Sequence, residues 1–248
     1  MLRLTVFTVF LALSSALPAG HRDVRTLKDK NLLVDDIKFP SGWDINSGLI
    51  GDQYRWPNRE LIYVIDNAFD AGERGIVEAA MNEISSKTCI RFRQRSNEND
   101  YVFIQKGEVN SGCWSYVGKI GGQQVLNLQR PEFEGAGHCI WVGTAAHEMI
   151  HAIGFYHEQS RYDRDDFVEM DWSNIPQEYH YAFDKYPSSM VDTFGVPYDY
   201  SSIMHYDAYA FAIDGRKPTI IPKQPGAKLG NDQLTDYDTQ KINRMYNC

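Results

Sequence analysis

Hydrophobic positions follow two different periods in the first two thirds of the chain. Short runs rich in apolar residues at 61–65, 90–92, 101–104 and 124–128 are typical of strands. Between the first two runs, apolar residues recur every three or four positions, which predicts a helix with one buried face. That face comprises Ile76, Val77, Ala80, Met81 and Ile84.

Capping residues mark where helices begin. Asp70 precedes Glu73 by three positions, and Thr235 precedes Asp238 by the same spacing, so each pair predicts a capping box. Another helix is expected over residues 144–153. Beyond it, six prolines exclude long elements until the last helix. The pattern predicts an α+β fold with an N-terminal mixed sheet, two long helices, an irregular C-terminal half and a cleft between the halves.

One long apolar run lies at the N-terminus of the chain. Arg3 precedes residues 4–13, which are mostly apolar, and small residues follow at 14–16. The run is about half of the roughly 20 residues that span a membrane, so it predicts a cleaved signal peptide over residues 1–16 rather than an anchor. We therefore expect a secreted, extracellular protein that is not held in a membrane.

Residues 17–46 are polar and separate this signal from the first strand. They contain a basic stretch followed by the acidic pair Asp35 and Asp36. A prosegment is the expected interpretation, and a flexible tail of the mature protein is the alternative. Residues 47–248 are then expected to form the functional domain.

Composition and charge narrow the function further. Hydrophobic residues make up 43% and charged residues 23% of the 248 residues, which excludes a disordered or coiled-coil chain. The formal net charge of -8 disfavours nucleic acid as a partner, because an acidic surface repels phosphates. Four cysteines, an even number, predict two disulfides in an oxidising compartment, and their spacing leaves three pairings open.

The strongest chemical signal lies in the expected second helix. His147 and His151 are four positions apart, so on a helix their imidazoles share one face and can bind one Zn²⁺. Glu148 stands beside the first histidine, where a catalytic base is needed. Gly154 can adopt a positive φ that ends the helix, which allows His157 to approach the same metal from another direction.

Three imidazoles leave one zinc coordination position open, which is typical of a catalytic site. The alternative, buried histidines on an ordinary helix, does not explain why a glutamate and a glycine occupy the matching positions. The remaining four histidines are interpreted as ordinary residues: His21, His138, His180 and His205.

A second motif, with the sequence SIMHY, follows at residues 202–206. Met204 offers a soft apolar floor beneath a metal site. The phenol of Tyr206 can approach a metal or donate a hydrogen bond to an oxyanion. Taken alone, the motif indicates core packing, so its functional interpretation depends on the three histidines.

Together the two motifs resemble those of the astacin family of metzincin zinc endopeptidases. The first reads HEMIHAIGFYHE at 147–158 and the second is the SIMHY segment. The segments GDQYRWP at 51–57, KTCIRF at 87–92 and SGCWSYVG at 111–118 are also similar to family sequences. The resemblance covers nearly all of 47–248 and implies a metzincin-like zinc protease fold.

The resemblance implies a role for each motif residue. His147, His151 and His157 bind one zinc ion per chain, and Tyr206 is a further ligand in the resting enzyme. Glu148 is the general base that takes a proton from water and later hands it to the leaving amine. Tyr206 also stabilises the tetrahedral oxyanion during the reaction.

The resemblance also implies how the cysteines pair and where a substrate binds. Cys89 pairs with Cys248, and Cys113 pairs with Cys139. A substrate peptide is expected to lie extended against an edge strand, for which residues 124–128 are the candidate.

Processing is the last feature that the resemblance implies. Residues 33–37 are similar to the latency motif of the family, although Leu33 and Asp35 depart from the usual Phe and Gly. Asp36 is then the zinc ligand of the unprocessed chain, and a solvated acidic pair is the alternative. The mature N-terminus is expected near residues 46–47, with its ammonium close to Glu158.

The sequence therefore predicts a secreted zinc-dependent metalloendopeptidase that is made as a zymogen. Its expected partners are protein or peptide substrates and an activating protease, and a monomer is the default. A catalytically inactive, zinc-stabilised binding module is the alternative, but it leaves Glu148 without a role.

Overall fold

The computed structural model describes residues 33–40 and 51–248, with two gaps at 1–32 and 41–50. The predicted signal peptide and the expected processing site lie outside the described residues. Residues 33–40 are called the N-terminal segment below. Within the described ranges, no helix combines the length and the apolar character needed to cross a membrane.

Seven strands of the described chain form one mixed sheet in the order β1-β2-β6-β7-β5-β3-β4. The strands β7, β5, β3 and β4 run parallel to one another, and β6 runs antiparallel to β7. The strands are β1 (Leu33–Val34), β2 (Ile37–Lys38), β3 (Glu60–Ile65), β4 (Arg91–Gln94), β5 (Tyr101–Gly107), β6 (Cys113–Tyr116) and β7 (Gln123–Gln129). The mixed sheet confirms the α+β class expected from the sequence.

The prediction that residues 124–128 form an edge strand is wrong. Residues 124–128 belong to β7, which lies inside the sheet between β5 and β6. On the other side of β7 lies the short β6, which would be an edge of the sheet without the N-terminal segment, and β2 of that segment pairs with it in parallel. The physical reason is visible in the pattern: β7 is mostly buried, as an interior strand must be, whereas β6 is a four-residue strand of mixed polarity.

Two helices pack against the sheet. Helix α1 (Ala71–Lys87) begins with the predicted capping box, in which the Asp70 and Glu73 side chains accept hydrogen bonds from each other's backbone N–H groups at 2.9 Å. Helix α2 (Val142–Ile153) is buried over most of its surface. The main core lies between these helices and the inward side of the sheet, and includes the fully buried Leu126 and Ile150.

The chain from Gly154 to Leu234 is irregular, as the prolines predict. It contains four 3₁₀ turns and one two-stranded sheet, formed by β8 (Val168–Met170) and β9 (Ile220–Pro222). Its side chains form a separate apolar cluster rich in aromatic rings. The buried members of this cluster are Val168, Met170, Ile175, Ala182, Phe183, Tyr198 and Ile220.

Helix α3 (Asp236–Met245) returns the chain to the first half. Its capping box joins Thr235 to Asp238, as predicted, and its apolar face buries Ile242 and Met245 in the main core. Two disulfides join Cys89 to Cys248 and Cys113 to Cys139, which is the pairing that the family resemblance implies. The first of them ties the end of α3 to the segment that follows α1.

Candidate metal centre

Helix α2 carries two of the three motif histidines toward the cleft. The helix ends at Ile153, and Gly154 follows with a φ of +121°, a conformation that glycine adopts without steric cost. A Cβ at this position would also lie 2.6 Å from Met245 Cε. The chain then turns and brings His157 Nε2 to 3.3 Å from His147 Nε2.

The three histidines surround the carboxylate of Asp36. The Nε2 atoms of His147, His151 and His157 lie 3.1, 3.4 and 3.2 Å from an oxygen of this carboxylate. The four ligand atoms all lie within 4.8 Å of one another. The structure therefore brings together the three predicted zinc ligands and the predicted latency residue, although they come from two distant parts of the chain.

Hydrogen bonds on the outer side of two imidazoles fix their orientation. His147 Nδ1 donates to the carbonyl of Ile203 at 2.7 Å, and His151 Nδ1 donates to the carbonyl of Phe155 at 2.7 Å. Because a carbonyl can only accept, Nδ1 of each ring carries a proton, and in the neutral ring Nε2 then offers its lone pair to the centre. This is the arrangement that a metal-binding histidine requires.

The site fits a zinc ion by the chemistry of its donors. Asp36 Oδ1 and His151 Nε2 are buried, and neither makes a hydrogen bond to any residue that the structure describes. Such orphaned polar atoms are costly without a partner, and a bound cation satisfies both. Imidazole nitrogens with one carboxylate oxygen form a donor set that Zn²⁺ accepts.

The charges of the centre are strongly coupled. Burial raises the pKa of Asp36, but the charges of His157 and His151 outweigh burial and hold that pKa well below its usual value. Burial lowers the pKa of His151 to about 4, against the attraction of Asp36. Burial also lowers the pKa of His147, but the hydrogen bond to Asp36 outweighs it and the net shift is upward. A carboxylate among imidazoles is thus the favoured state of the unprocessed centre.

Glu148 is buried beside the histidines, with 1% of its surface exposed. Its Oε2 atom finds no hydrogen-bond partner within residues 33–40 and 51–248. Burial, followed by the charges of Asp36 and Asp35, raises the pKa of Glu148 well above its usual value. Such a group accepts a proton readily, which suits a general base.

Tyr206 stands on the other side of the centre. Its ring centroid lies 4.8 Å from that of His157, and its hydroxyl donates a hydrogen bond to Asp35. Asp35 has a φ of +58°, the left-handed conformation that the usual glycine of the latency motif adopts more easily. Because this chain has Asp35 where the family motif has glycine, a second carboxylate contacts Tyr206.

The other described histidines lie in ordinary surroundings. His138 stacks on Trp141, His180 donates to the carbonyl of Ile175, and His205 accepts from the Tyr198 hydroxyl at 2.7 Å. Each therefore has local contacts of its own, as interpreted from the sequence. His21 lies outside the described residues.

Sequence reasoning missed the polar contacts that support the centre. Glu158 is buried and pairs with Lys241 and Arg161, and Asp238 bonds to the SIMHY segment as well as to its own helix cap. The capping box identified Asp238, but its second set of partners depends on how α3 packs. A lysine on the inner face of an amphipathic helix was the signal for Lys241.

Known proteins are similar to this chain in sequence over most of its length. The family model for Astacin (Peptidase family M12A) matches residues 49–247. Zinc metalloproteinase nas-4 of Caenorhabditis elegans is 41% identical over 78% of this chain and 59% of its own length. Meprin A subunit beta of Rattus norvegicus is 36% identical over 98% of this chain and 35% of its own length. The chain spans about half the length of the curated relatives it matches first.

Solved structures agree with the sequence relatives. High choriolytic enzyme 1, a hatching enzyme zinc-protease from Oryzias latipes, superposes with a TM-score of 0.70 and is 38% identical. The match covers 78% of this chain and 93% of that chain. With a family model over most of the chain, a solved relative of the same fold and a histidine cluster of the expected geometry, the chain belongs to the astacin family.

Proposed function

We propose that the chain is a secreted, zinc-dependent endopeptidase that is made as a zymogen with residues 17–46 as its prosegment. The observation that carries the proposal is the convergence of three imidazole nitrogens, beside a buried carboxylate oxygen of Glu148 that has no hydrogen-bond partner among the described residues. A catalytic base next to an open metal site has no purpose in a structural zinc centre.

His147, His151 and His157 would hold the zinc ion. When bound, zinc supplies Lewis-acid polarisation and makes water a stronger acid. The protein contributes the orientation of the rings. The carbonyls of Ile203 and Phe155 fix those of His147 and His151 by accepting hydrogen bonds from Nδ1.

Glu148 moves the proton in this proposal. Its carboxylate accepts a proton from the attacking water and delivers it to the nitrogen of the departing amine. Because the charges of Asp35 and Asp36 contribute to its raised pKa, departure of the N-terminal segment leaves Glu148 a stronger acid than in the unprocessed chain, and so more often ionised. Burial is the largest cause of the raised pKa of Glu148 in the unprocessed chain, and a raised pKa suits proton return.

Tyr206 stabilises the negative charge that develops on the scissile carbonyl oxygen. Its phenol supplies one hydrogen-bond donor to the oxyanion. In the unprocessed chain Asp35 accepts this hydrogen bond, so the same segment that reaches the histidines also engages the tyrosine.

The peptide substrate would pair with β6, which becomes an edge of the sheet once the N-terminal segment has left. In the unprocessed chain β2 occupies this edge, with Ile37 opposite Ser115 and Lys38 opposite Tyr116. Ile37 and Phe39 also bury their side chains in a small cluster with Val117 and Tyr156. The N-terminal segment thus covers both the backbone edge and the metal centre, which supports latency.

The proposal also covers where the protein acts and which molecules it meets. The apolar run at residues 4–13 and the two disulfides support export to an oxidising, extracellular compartment. The substrates are proteins or peptides, a separate protease removes the prosegment, and the active form is a monomer that acts neither on nucleic acid nor in a membrane.

A direct test is zinc analysis and casein hydrolysis of the processed enzyme, with and without a chelator. We expect one zinc per chain, hydrolysis that the chelator abolishes, and recovery when zinc is returned. Zinc binding without hydrolysis of any peptide in a proteome-derived library would establish the binding-module alternative instead.

Latency is tested by the two neighbouring carboxylates of the N-terminal segment. In the unprocessed chain, Asp36→Asn removes the charged group that faces the histidines and should give partial activity without cleavage. Asp35→Asn is the matched control, because it changes an adjacent carboxylate that contacts Tyr206 and not the imidazoles. If Asp36→Asn is as inactive as the parent, steric cover by β2 alone accounts for latency.

A further inference from the structure

Helix α3 carries two buried charged side chains that contact the segments next to the metal centre. Asp238 is 4% exposed and Lys241 is 6% exposed, and a spacing of three positions puts them on one face of the helix. We propose that Asp238 and Lys241 are positioning residues for two zinc ligands, His147 and His157 respectively. The inference rests on the proposed function, since it assumes that the histidines bind zinc.

Four hydrogen bonds connect Asp238 with His147. Asp238 Oδ2 accepts from the Ile203 N–H at 3.0 Å, and Asp238 Oδ1 accepts from the Ser202 hydroxyl at 2.5 Å. The Ser202 oxygen in turn accepts from the Met204 N–H at 3.0 Å. One carboxylate therefore fixes the backbone on both sides of the Ile203 carbonyl, the group that accepts from His147 Nδ1.

The path from Lys241 runs through Glu158 to the adjacent ligand His157. Lys241 Nζ pairs with Glu158 Oε2, while Glu158 Oε1 accepts from Arg161 at 3.0 Å and from the Asp199 N–H at 2.9 Å. Because Glu158 follows His157 directly, these bonds hold the backbone that carries the ligand. Removing one cation would leave a buried carboxylate partly uncompensated, which is strongly unfavourable.

The two paths meet in the SIMHY segment. The Glu158 N–H donates to the Met204 carbonyl at 2.8 Å, so the segment held by Asp238 is bonded to the segment held by Lys241. The Cys89–Cys248 disulfide anchors the end of the same helix. Partners that orient metal-binding histidines from the outer side typically change metal affinity by about 10–100-fold when removed.

The competing explanation is that Asp238 only caps its own helix, since Oδ2 also accepts from the Thr235 N–H at 3.1 Å. The chain offers a matched control for this role. Glu73 occupies the corresponding position in the capping box of α1, and its other described side-chain partner is Lys106. Asp238→Asn and Glu73→Gln therefore both weaken a helix cap, but only the first also removes contacts to the SIMHY segment.

The experiment uses the full chain and measures zinc affinity by competition with a chelating dye, the visible spectrum after Co²⁺ replacement, and melting of the zinc-free protein. Asp238→Asn should weaken zinc binding about 10–100-fold and alter the Co²⁺ spectrum. Glu73→Gln should leave both unchanged while lowering the melting temperature of the zinc-free protein by a similar amount.

Lys241 is tested by the pair Lys241→Met and Lys241→Arg, of which only the first removes the charge. Lys241→Met should weaken zinc binding about tenfold, and Lys241→Arg should restore most of the affinity. If Asp238→Asn fails to fold, Ser202→Ala removes two bonds of the same path without changing any charge and should weaken zinc binding several-fold.

The outcomes separate the two levels of inference. A parent chain that binds no zinc overturns the proposed function, and with it the positioning role. A parent that binds zinc, with Asp238→Asn, Ser202→Ala and Lys241→Met variants of unchanged affinity and unchanged Co²⁺ spectra, overturns the positioning role alone.

Discussion

The two halves of the molecule hold their functional residues by different means. In the first half, apolar side chains fill the space between the sheet and two helices, and the geometry of α2 puts His147 and His151 on one face of a packed helix. The second half has one small sheet and short turns, and His157 and Tyr206 are held there by side-chain hydrogen bonds and ion pairs.

The difference shows how an irregular region can be ordered enough for chemistry. Asn174 illustrates it: its side chain accepts from the Asp214 N–H at 2.8 Å and donates to the carbonyls of Lys217 and Asp214. Arg164 likewise donates to the carbonyls of Gln159 and Phe183. In this half, buried polar side chains satisfy the backbone groups that regular elements would otherwise pair.

The sharpest test of the first half concerns Glu148. Glu148→Gln should keep a full complement of zinc, because the histidines are unchanged, but should lower kcat of the processed enzyme by about 10²–10⁴-fold or more. Its stability should not fall, since glutamine avoids a buried carboxylate without a described partner. The exposed Glu78→Gln serves as the control. Near-normal turnover at full zinc occupancy would remove Glu148 from the mechanism.

The second prediction concerns the disulfide that ties α3 to the first half. Replacing Cys89 and Cys248 by serine opens a loop with a sequence separation of 159 and should lower the free energy of unfolding by up to about 5 kcal/mol. Replacing Cys113 and Cys139, with a separation of 26, should lower it by up to about 3.5 kcal/mol.

Limited proteolysis distinguishes the two disulfide variants by region. If α3 orders the second half, the Cys89/Cys248 variant should be cleaved first between residues 154 and 235. The same cleavage pattern in both variants would argue that the second half is ordered independently of α3.

The third prediction compares a buried apolar side chain of the first half, Leu126, with a buried polar side chain of the second half, Asn174. Leu126→Ala in β7 should lower the free energy of unfolding by about 2–5 kcal/mol, because it opens a cavity in the main core. Asn174→Ala should lower it by about 1–3 kcal/mol, because it leaves buried backbone groups unpaired. Denaturant unfolding measures both. An Asn174→Ala effect near zero would contradict the view that polar anchors order the second half.

The smallest expected effect concerns the mature N-terminus. Glu158 already pairs with Lys241 and Arg161, so a new ammonium would join existing partners rather than an unpaired carboxylate. Processed enzyme with two extra N-terminal residues should melt about 2–4 °C lower, which corresponds to about 1 kcal/mol, and should have a more protease-sensitive N-terminus. Identical melting, proteolysis and turnover of the extended and trimmed forms would show that Glu158 has no role in processing.

The sequence by itself determined the local geometry. The spacing of His147 and His151 places both rings on one helical face, because the helix has a fixed number of residues per turn. The capping boxes of α1 and α3 and the buried face of α1 follow from short-range rules in the same way. These features depend on residues a few positions apart, so a linear pattern suffices to predict them.

Only the tertiary structure decided which distant groups meet. His147 and Asp36 are 111 positions apart, and Glu158 and Lys241 are 83 apart, so their contacts depend on how the halves pack. The edge of the sheet was mispredicted for the same reason, since strand order is a property of pairing and not of any one strand. Between two adjacent carboxylates, the backbone turn at Asp35 decides that Asp36 reaches the histidines while Asp35 reaches Tyr206.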